Sequence, residues 1–298
     1  MSFPSSPSPV DRLALAVVTE PERALPAPAG AREDAMRHLL QTAAEAGVGL
    51  IATRPDGDGE RLLGQAWPFP SPFRVSARTV SVSEGVDRVE ARARRSLERL
   101  GLPRGDLLLV SSVNDLAGAE GRALWDRLTA LKDKGLFRRI GVCAEMDDSP
   151  VALARRLSPD VVQLPCNLLD QRAATEGVIA ALAAQDCAVH VSSVFAGGVL
   201  FADSEGLPHH LNGHALALSR TRRRLAEARL DPMQAALAFA LGLEGVAAVV
   251  ASVASAAELR AILAAAHAPR PDLDWSALGL EAPAAFAADA RAVISSAA

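Results

Sequence analysis

The stretch GLIATRPDGDGERLLG (residues 49–64) has the layout of an active-site loop. A short apolar run is followed by a polar, glycine-rich turn and then by a new helical segment. Asp56 in the turn is the candidate proton donor, whereas the end of the apolar run carries only Ala52. The chain has no tyrosine, so no reaction that needs a tyrosine can occur here. The stretch therefore has the frame of a catalytic loop without the residues that catalysis would need.

Length and composition limit the possible classes of protein. A chain of 298 residues, 50% of them hydrophobic, can form one large α/β domain or two smaller ones. The net charge of −4 gives no sign of a nucleic-acid partner. No apolar run reaches the roughly 20 residues of a membrane span, and the N-terminus lacks an export signal. Three well-separated cysteines fit a reducing compartment, so we expect a cytoplasmic protein without membrane insertion.

Short apolar runs alternate with longer segments of helical period. The seven strand candidates are residues 49–53, 73–78, 106–112, 139–143, 161–165, 188–194 and 246–251. Buried strands separated by helices indicate parallel strands with right-handed crossovers. With one further short or missed strand, they would close an eight-stranded (β/α)₈ TIM barrel. An open doubly wound sheet is the alternative, which is weakened because no G-x-G-x-x-G follows the first strand.

The early apolar piece RLALAVV (residues 12–18) is interpreted as an N-terminal β-hairpin that covers the bottom of the barrel. The sequence has no internal repeat and no linker that would divide it. We therefore expect a single barrel domain over residues 1–298, with residues 1–11 as a flexible tail.

Several segments together resemble the aldo-keto reductase family. They are SLERLGLPRGDLLLV (96–110), KDKGLFRRIGVC (132–143), PDVVQLPCNLLDQR (159–172), VHVSSVFAGGVLF (189–201) and the stretch 230–263. The resemblance covers nearly the whole chain, from about residue 13 to about residue 263. It implies a (β/α)₈ barrel that binds a nicotinamide cofactor across its C-terminal mouth.

Members of this family reduce carbonyls with an Asp, Tyr, Lys and His tetrad, and the resemblance implies where these residues should fall. The aspartate falls on Ala52, the tyrosine on or beside Asp56, the lysine on Arg78 and the histidine on Ser111. All four residue types have changed. Asp56, Arg78 and Ser111 could form a polar cluster, but an aspartate beside an arginine is a poor acid at neutral pH. We expect no catalytic residues and a degenerate tetrad.

The resemblance also implies a site for the nicotinamide carboxamide, at the ends of the fourth and fifth predicted strands. Cys143 stands where the family usually has serine, and Gln163 and Asn167 match the family's glutamine and asparagine. The alternative for Gln163 is a buried amide that the backbone satisfies. The intact neighbouring motif favours the binding role.

The segment SSVFAGGVL (192–200) resembles the loop that lies over the cofactor pyrophosphate. The matching positions are Ser193, Val194, Gly197, Gly198 and Leu200. Glycines there allow backbone N–H groups to approach phosphate oxygens. An ordinary turn is the alternative.

At the adenosine end, the resemblance places Ser252, Ser255 and Glu258 beside the ribose. Family members that prefer NADPH have basic residues here. A carboxylate would repel a 2′-phosphate and could accept a hydrogen bond from a free 2′-hydroxyl. Glu258 therefore favours NADH over NADPH as the cofactor.

Two other clusters carry residues that could bind a ligand or a partner. His209, His210 and His214 lie in one loop, but no cysteine or carboxylate supports a metal site there. The basic run 219–229 is typical of a solvated helix face, and it is also the best candidate for a surface that an acidic partner would contact.

Two functions remain open. The first is a pseudoenzyme that binds NADH and regulates protein partners. Tetrad-less relatives of the family regulate bacterial cell division and cell-cycle signalling, which implies a tubulin-like division protein and a sensor histidine kinase as partners. The second is an active NAD(P)H-dependent oxidoreductase with an atypical site around Asp56. A barrel that has also lost cofactor binding is a third possibility.

Overall fold

The computed structural model describes residues 8–18, 30–201 and 214–280. Eight parallel strands close a barrel in the order β1 to β8, with β1 paired to β8. The strands are β1 (Leu13–Val17), β2 (Leu50–Ala52), β3 (Arg74–Arg78), β4 (Gly105–Val110), β5 (Phe137–Cys143), β6 (Val161–Pro165), β7 (Ala188–Ser192) and β8 (Val246–Val253). The predicted (β/α)₈ barrel is thus confirmed, and the open doubly wound sheet is excluded.

Helices follow the strands and surround the barrel. In the part of the chain that the structure describes, they are α1 (Ala31–Glu45), α2 (Gly59–Ala66), α3 (Val86–Leu100), α4 (Gly118–Asp133), α5 (Pro150–Leu157), α6 (Arg172–Thr175), α7 (Val178–Ala183), α8 (Ala215–Glu227), α9 (Pro232–Leu241) and α10 (Ala256–His267). The large apolar core lies between the strands and these helices. None of the described helices combines the length and the apolar character needed to cross a membrane.

The predicted N-terminal hairpin is wrong. Leu13–Val17 is the first strand of the barrel itself and pairs in parallel with β2 and β8. Leu13, Ala14 and Leu15 are all buried, as expected for a strand covered on both faces. This is the strand that the sequence reading missed, and every later strand is therefore numbered one higher than predicted.

The N-terminal end of the barrel is covered by a short 3₁₀ helix, Pro9–Arg12. Val10 is buried in the core, and the Arg12 guanidinium donates hydrogen bonds to the carbonyls of Leu241, Leu243 and Val246. Of the expected flexible tail, residues 1–7 lie outside the described residues, whereas residues 9–11 belong to this helix.

A charged cluster lies beside this cover. Arg139 contacts Asp106 at 2.5 Å, and Arg74 is 4.0 Å from the same carboxylate. A small cavity of about 200 Å³ lies here and is lined by Arg74, Arg139 and His190 of β7. His190 is only 2% exposed. Burial, with help from the charge of Arg139, lowers the pKa of His190 to about 4. The imidazole is therefore neutral at physiological pH.

The interior of the barrel is filled by side chains. One cluster contains Ala14, Leu50, Ala248 and Val250, and another contains Leu107, Leu109 and Val161. The barrel is thus a packed core rather than a channel, and ligands must bind at its ends or on its surface.

Candidate functional site

The C-terminal ends of β2, β3 and β4 border one cleft of about 970 Å³. Asp56, Arg78 and Ser111 all line it, so the structure brings together three of the four positions on which the resemblance places the tetrad. Ala52 ends β2 and pairs with Ser76 of β3, and its methyl group offers no hydrogen-bonding atom. This is the end of the barrel at which TIM-barrel enzymes carry their active sites.

Ser111 is tied into the backbone at this end. Its hydroxyl donates to the Thr79 carbonyl at 2.5 Å, and its N–H donates to the Thr79 hydroxyl at 3.2 Å. Nearby, the buried carboxylate of Asp115 accepts from the Ser81 hydroxyl and the Val82 N–H at 2.9 and 3.1 Å. These bonds join the segment after β3 to the segment after β4. The proton of Ser111 is therefore committed to a structural bond.

The turn that carries Asp56 is held from the side by α3. The Arg92 guanidinium donates to the Pro55 carbonyl, and Arg99 donates to the Gly57 carbonyl at 3.2 Å. Asp56 itself is exposed to solvent. Hydrogen bonds to two backbone carbonyls thus hold the turn in position, while the Asp56 carboxylate faces water at the edge of the cleft.

The predicted carboxamide site lies on β5 and β6. Cys143 and Gln163 are direct neighbours in the parallel register of these two strands. Gln163 is buried as a residue, and no hydrogen bond joins its side-chain amide to a residue in the described ranges. The amide is not among the fully enclosed polar atoms that lack a partner there, so its end reaches solvent. An amide with open hydrogen-bonding positions at the edge of the core can bind a polar ligand.

Asn167, in contrast, has a local structural bond. Its Oδ1 accepts from the N–H groups of Leu169 and Asp170 at 2.9 and 3.0 Å, and so it closes a tight turn after β6. Its oxygen is thereby occupied, which leaves only its amide N–H₂ group for a ligand.

The glycine-containing loop after β7 has an unusual backbone. Ser193, Ala196, Gly197 and Gly198 all have positive φ, at 57°, 49°, 63° and 84°. Val194 and Leu200 are buried and anchor the loop to the core. Consecutive residues of this kind can form a concave anion-binding backbone, which fits the predicted pyrophosphate contact.

Part of that loop is already hydrogen-bonded within itself. The Gly198 N–H donates to the Phe195 carbonyl at 2.9 Å, and the Val199 N–H donates to the Ala196 carbonyl at 3.3 Å. These two N–H groups are not available to a phosphate in this conformation. The φ angle of Gly198 is strained for other residues, which explains why glycine stands here.

The sequence analysis missed the partner of this loop. Arg222 on α8 donates to the Val199 carbonyl at 2.7 Å and thereby fixes the loop. Its Nε is buried and has no partner among the described residues. Within the predicted partner surface at 219–229, Arg224 likewise bonds the Ala277 carbonyl, and Thr221 bonds the Leu278 carbonyl at 3.2 Å. Some side chains of this basic run thus stabilise the fold, while others present charge to solvent.

At the adenosine end, Ser255 is the N-cap of α10, and its hydroxyl accepts from the Glu258 N–H at 3.1 Å. The Glu258 carboxylate accepts from the Ala254 N–H at 2.7 Å, just before the cap. Ser252 is exposed near the end of β8. A serine in front of a helical run is the sequence signal for this cap. Ser255 therefore caps the helix, while the Glu258 carboxylate bonds the backbone that precedes it.

Other reactive groups do not form a site. His209 and His210 lie outside the described residues, and no metal-binding group of three His, Cys, Asp or Glu residues occurs in the described ranges. None of the cysteines is in a disulfide. Burial raises the pKa of Cys166 to about 12 and that of Cys187 to about 11, so neither thiol is a nucleophile at neutral pH.

Four further arginines line the cleft, and the sequence analysis did not single them out. Arg88, Arg92 and Arg95 of α3 face it, together with Arg54 after β2. Their spacing of four and three residues places the α3 arginines on one side of the helix. That spacing is readable in the sequence, but the position of α3 beside the mouth is not.

The comparisons with known proteins agree with this geometry. The model of the Aldo/keto reductase family matches residues 38–279. The aldo-keto reductase AKR11C1 from Bacillus halodurans, in its holo form, has a TM-score of 0.65 at 17% identity, covering 81% of this chain and 85% of that one. PA4992 from Pseudomonas aeruginosa, described as an aldo-keto reductase, has a TM-score of 0.62 at 22% identity, with 90% and 91% covered. At these identities the structural likeness shows the fold alone. No curated protein sequence gives a match.

Proposed function

This chain belongs to the aldo-keto reductase family, and from that premise we propose that it is an NADH-binding pseudoenzyme that regulates protein partners. The proposed role is that of the KidO type of cytoplasmic regulator of bacterial cell division and cell-cycle signalling. Its partners would be a tubulin-like division protein and a sensor histidine kinase.

The observation that carries the proposal is the loss of the proton donor. The chain has no tyrosine, and the residues at the tetrad positions are Ala52, Asp56, Arg78 and Ser111. Carbonyl reduction needs an acid beside the hydride path, and loss of a general acid lowers the rate by about 10²–10⁴-fold. A guanidinium is a poor replacement for a tuned acid, and the Ser111 hydroxyl donates its proton to the Thr79 carbonyl.

Cofactor binding is supported by groups that fit a nicotinamide dinucleotide. The side-chain amide of Gln163 has no hydrogen bond to a described residue, and the loop at 193–200 has positive φ angles at four positions. Glu258 supplies a negative charge where a 2′-phosphate would lie. These features favour NADH, whose ribose has a free 2′-hydroxyl. The cofactor would itself be the ligand, and its redox state would decide binding. The chain's residues would bind and orient it.

Regulation requires that NADH and the partner influence each other's binding. A ligand shifts a partner's affinity only by its differential binding to two states of the protein. The loop at 193–200 is a suitable element, because Arg222 connects it to α8 and the adjoining basic run. Ordering of this loop by NADH would then change the surface that a partner contacts.

The test is a calorimetric titration with NADH and NADPH, together with turnover assays on a panel of aldehydes and ketones. We expect tighter binding of NADH and no oxidation of NADH above the rate without protein. The affinity for a tubulin-like division protein should differ with and without NADH. Failure of both nucleotides to bind would exclude a sensing role.

The same assays address the alternative of an active oxidoreductase. Asp56 and Arg78 line the same cleft, which is the observation that favours this alternative. Turnover that disappears in Asp56→Ala would establish an atypical acid and overturn the pseudoenzyme. Turnover that persists in Asp56→Ala would also overturn it, but would exclude Asp56 as the acid.

A further inference from the structure

We propose that the cleft at the ends of β2, β3 and β4 binds a small, multiply charged anion of the phosphate-ester or polycarboxylate class. This inference goes beyond the proposed function, because it assigns a second ligand. The residues proposed for NADH lie on β5 to β8 and their loops, and none of them lines this cleft. The two sites are therefore adjacent but made of different residues.

The size of the cleft suits a small molecule. Its volume of about 970 Å³ is at the upper end of the range of roughly 300–1,000 Å³ for ligand pockets. The methyl group of Ala91 lies between the arginines on the α3 side and leaves this space open. A ligand of several charged groups can thus reach the floor and the wall of the cleft together.

The charges of the cleft are unbalanced. Five arginines line it against three carboxylates, Asp56, Glu84 and Asp115. Glu84 pairs with Arg88 at 2.8 Å, whereas Asp115 accepts from the neutral Ser81 and Val82 groups and Asp56 is exposed. The cleft therefore carries a surplus of positive charge that an anion would neutralise.

Two of these guanidinium groups have no partner among the described residues. Arg78 and Arg95 make no hydrogen bond or ion pair with any residue in the described ranges, and Arg92 bonds only the neutral Pro55 carbonyl. Arg78 is partly buried at the floor, where its charge is less screened by salt. Planar guanidinium groups bind carboxylate and phosphate oxygens in pairs, which sets the ligand class.

The contrast within α3 shows that this is not the ordinary pattern of a charged helix face. Arg88 and Arg94 each have a glutamate four residues earlier and pair with it, at 2.8 and 2.7 Å. Arg92 and Arg95 have Arg88 and Ala91 at that position instead. The helix thus pairs Arg88 and Arg94 with glutamates, whereas Arg92 and Arg95 have no such partner at the cleft and Arg99 bonds the Gly57 carbonyl beyond it.

The experiment titrates inorganic phosphate, pyrophosphate and citrate into the full-length protein without NADH. The variants are Arg78→Gln and Arg95→Gln, and Arg94→Gln is the control with the same charge change on the same helix, outside the cleft. We expect pyrophosphate or citrate to bind more tightly than phosphate, and each cleft variant to weaken that binding by about tenfold or more. Arg94→Gln should change it by less than about twofold. Thermal unfolding confirms that each variant is folded.

Three results would overturn the inference. The first is no binding of any of the three anions at millimolar concentration, and the second is an equal effect of Arg94→Gln and Arg95→Gln. The third is an acidic or phosphorylated peptide that binds in this cleft while the small anions do not. NADH titration of the native chain separates the two proposals. If NADH does not bind to it, only the proposed function is contradicted. Direct competition between NADH and the anion would contradict the assignment of two sites.

Discussion

The carboxylate of Glu258 accepts a hydrogen bond from the Ala254 N–H, with 2.7 Å between Oε2 and N. The same residue donates its own N–H to the Ser255 hydroxyl at 3.1 Å, which completes the cap of α10. Glu258 thus combines a structural bond with the charge that we assign to cofactor selection. The two roles are separable, because glutamine retains the acceptor oxygen and removes the charge.

Glu258→Gln should improve NADPH binding and leave NADH binding and stability nearly unchanged. Glu258→Arg should improve NADPH binding further, because it adds a positive charge near the predicted 2′-phosphate position, but it also removes the carboxylate that accepts from the Ala254 N–H. Loss of one such hydrogen bond destabilises by about 0.5–1.5 kcal/mol. Calorimetric titrations with both nucleotides, and urea unfolding, measure the two effects. If the NADH preference is the same in both variants and the native chain, Glu258 does not select the cofactor.

Gln163→Leu should weaken NADH binding by about tenfold, which corresponds to about 1.4 kcal/mol, the upper part of the usual range for one hydrogen bond. Stability should not fall, because the amide has no hydrogen bond to a described residue and leucine has a similar volume. Titration with NADH measures the affinity, and a denaturation curve measures the stability. Asn167→Leu is the informative comparison, since it breaks the bonds to Leu169 and Asp170 and should destabilise the fold instead. An Asn167-like loss of stability in Gln163→Leu would contradict the binding role.

The barrel was predictable because its strands are buried on both faces and read as short apolar runs. Leu13–Val17 was the exception, since its position near the N-terminus suggested a cover rather than a barrel strand. Its pairing with β8 closes the barrel across more than 200 residues of sequence, and local patterns carry no information on such a contact.

The site was predictable in its residue types and less so in its contacts. The missing tyrosine and the changed positions are visible in the sequence, and the structure gathers Asp56, Arg78 and Ser111 into one cleft. The bond from Arg222 to Val199 and the facing of α3 toward the mouth depend on tertiary packing. The cap of α10 by Ser255 is visible in the sequence as a serine before the helical run, whereas the bond from Ala254 N–H to Glu258 is not.

Arg222→Gln should weaken NADH binding, because the loop at 193–200 loses the bond that fixes Val199. We expect a reduction of about threefold to tenfold, the usual effect of one lost hydrogen bond of about 0.5–1.5 kcal/mol. Arg223→Gln is the matched control: it has the same charge change on the neighbouring, exposed position of α8. Hydrogen exchange of the loop amides provides a second readout and should accelerate only in Arg222→Gln. Equal loss of affinity in both variants would indicate a general charge effect.

His190 gives a pH dependence of stability whose direction follows from its buried, neutral state. Its pKa is lowered from 6.5 to about 4 by burial, so the unfolded chain takes up a proton that the folded protein does not. The stability from this group is complete above pH 6.5 and is lost as the pH falls toward 4. Between pH 7 and pH 5 this amounts to about 2 kcal/mol, at 1.36 kcal/mol per pH unit below 6.5.

The measurement is urea unfolding of the native chain and of His190→Gln at pH 7, 6 and 5. Glutamine does not titrate, so the variant should lose about 2 kcal/mol less stability over this range than the native chain. Comparison of the two pH dependences cancels the contributions of all other groups and the direct effect of the substitution on packing. Parallel curves would mean that His190 is protonated in the folded state, with Asp106 compensating its charge inside the cluster with Arg139 and Arg74.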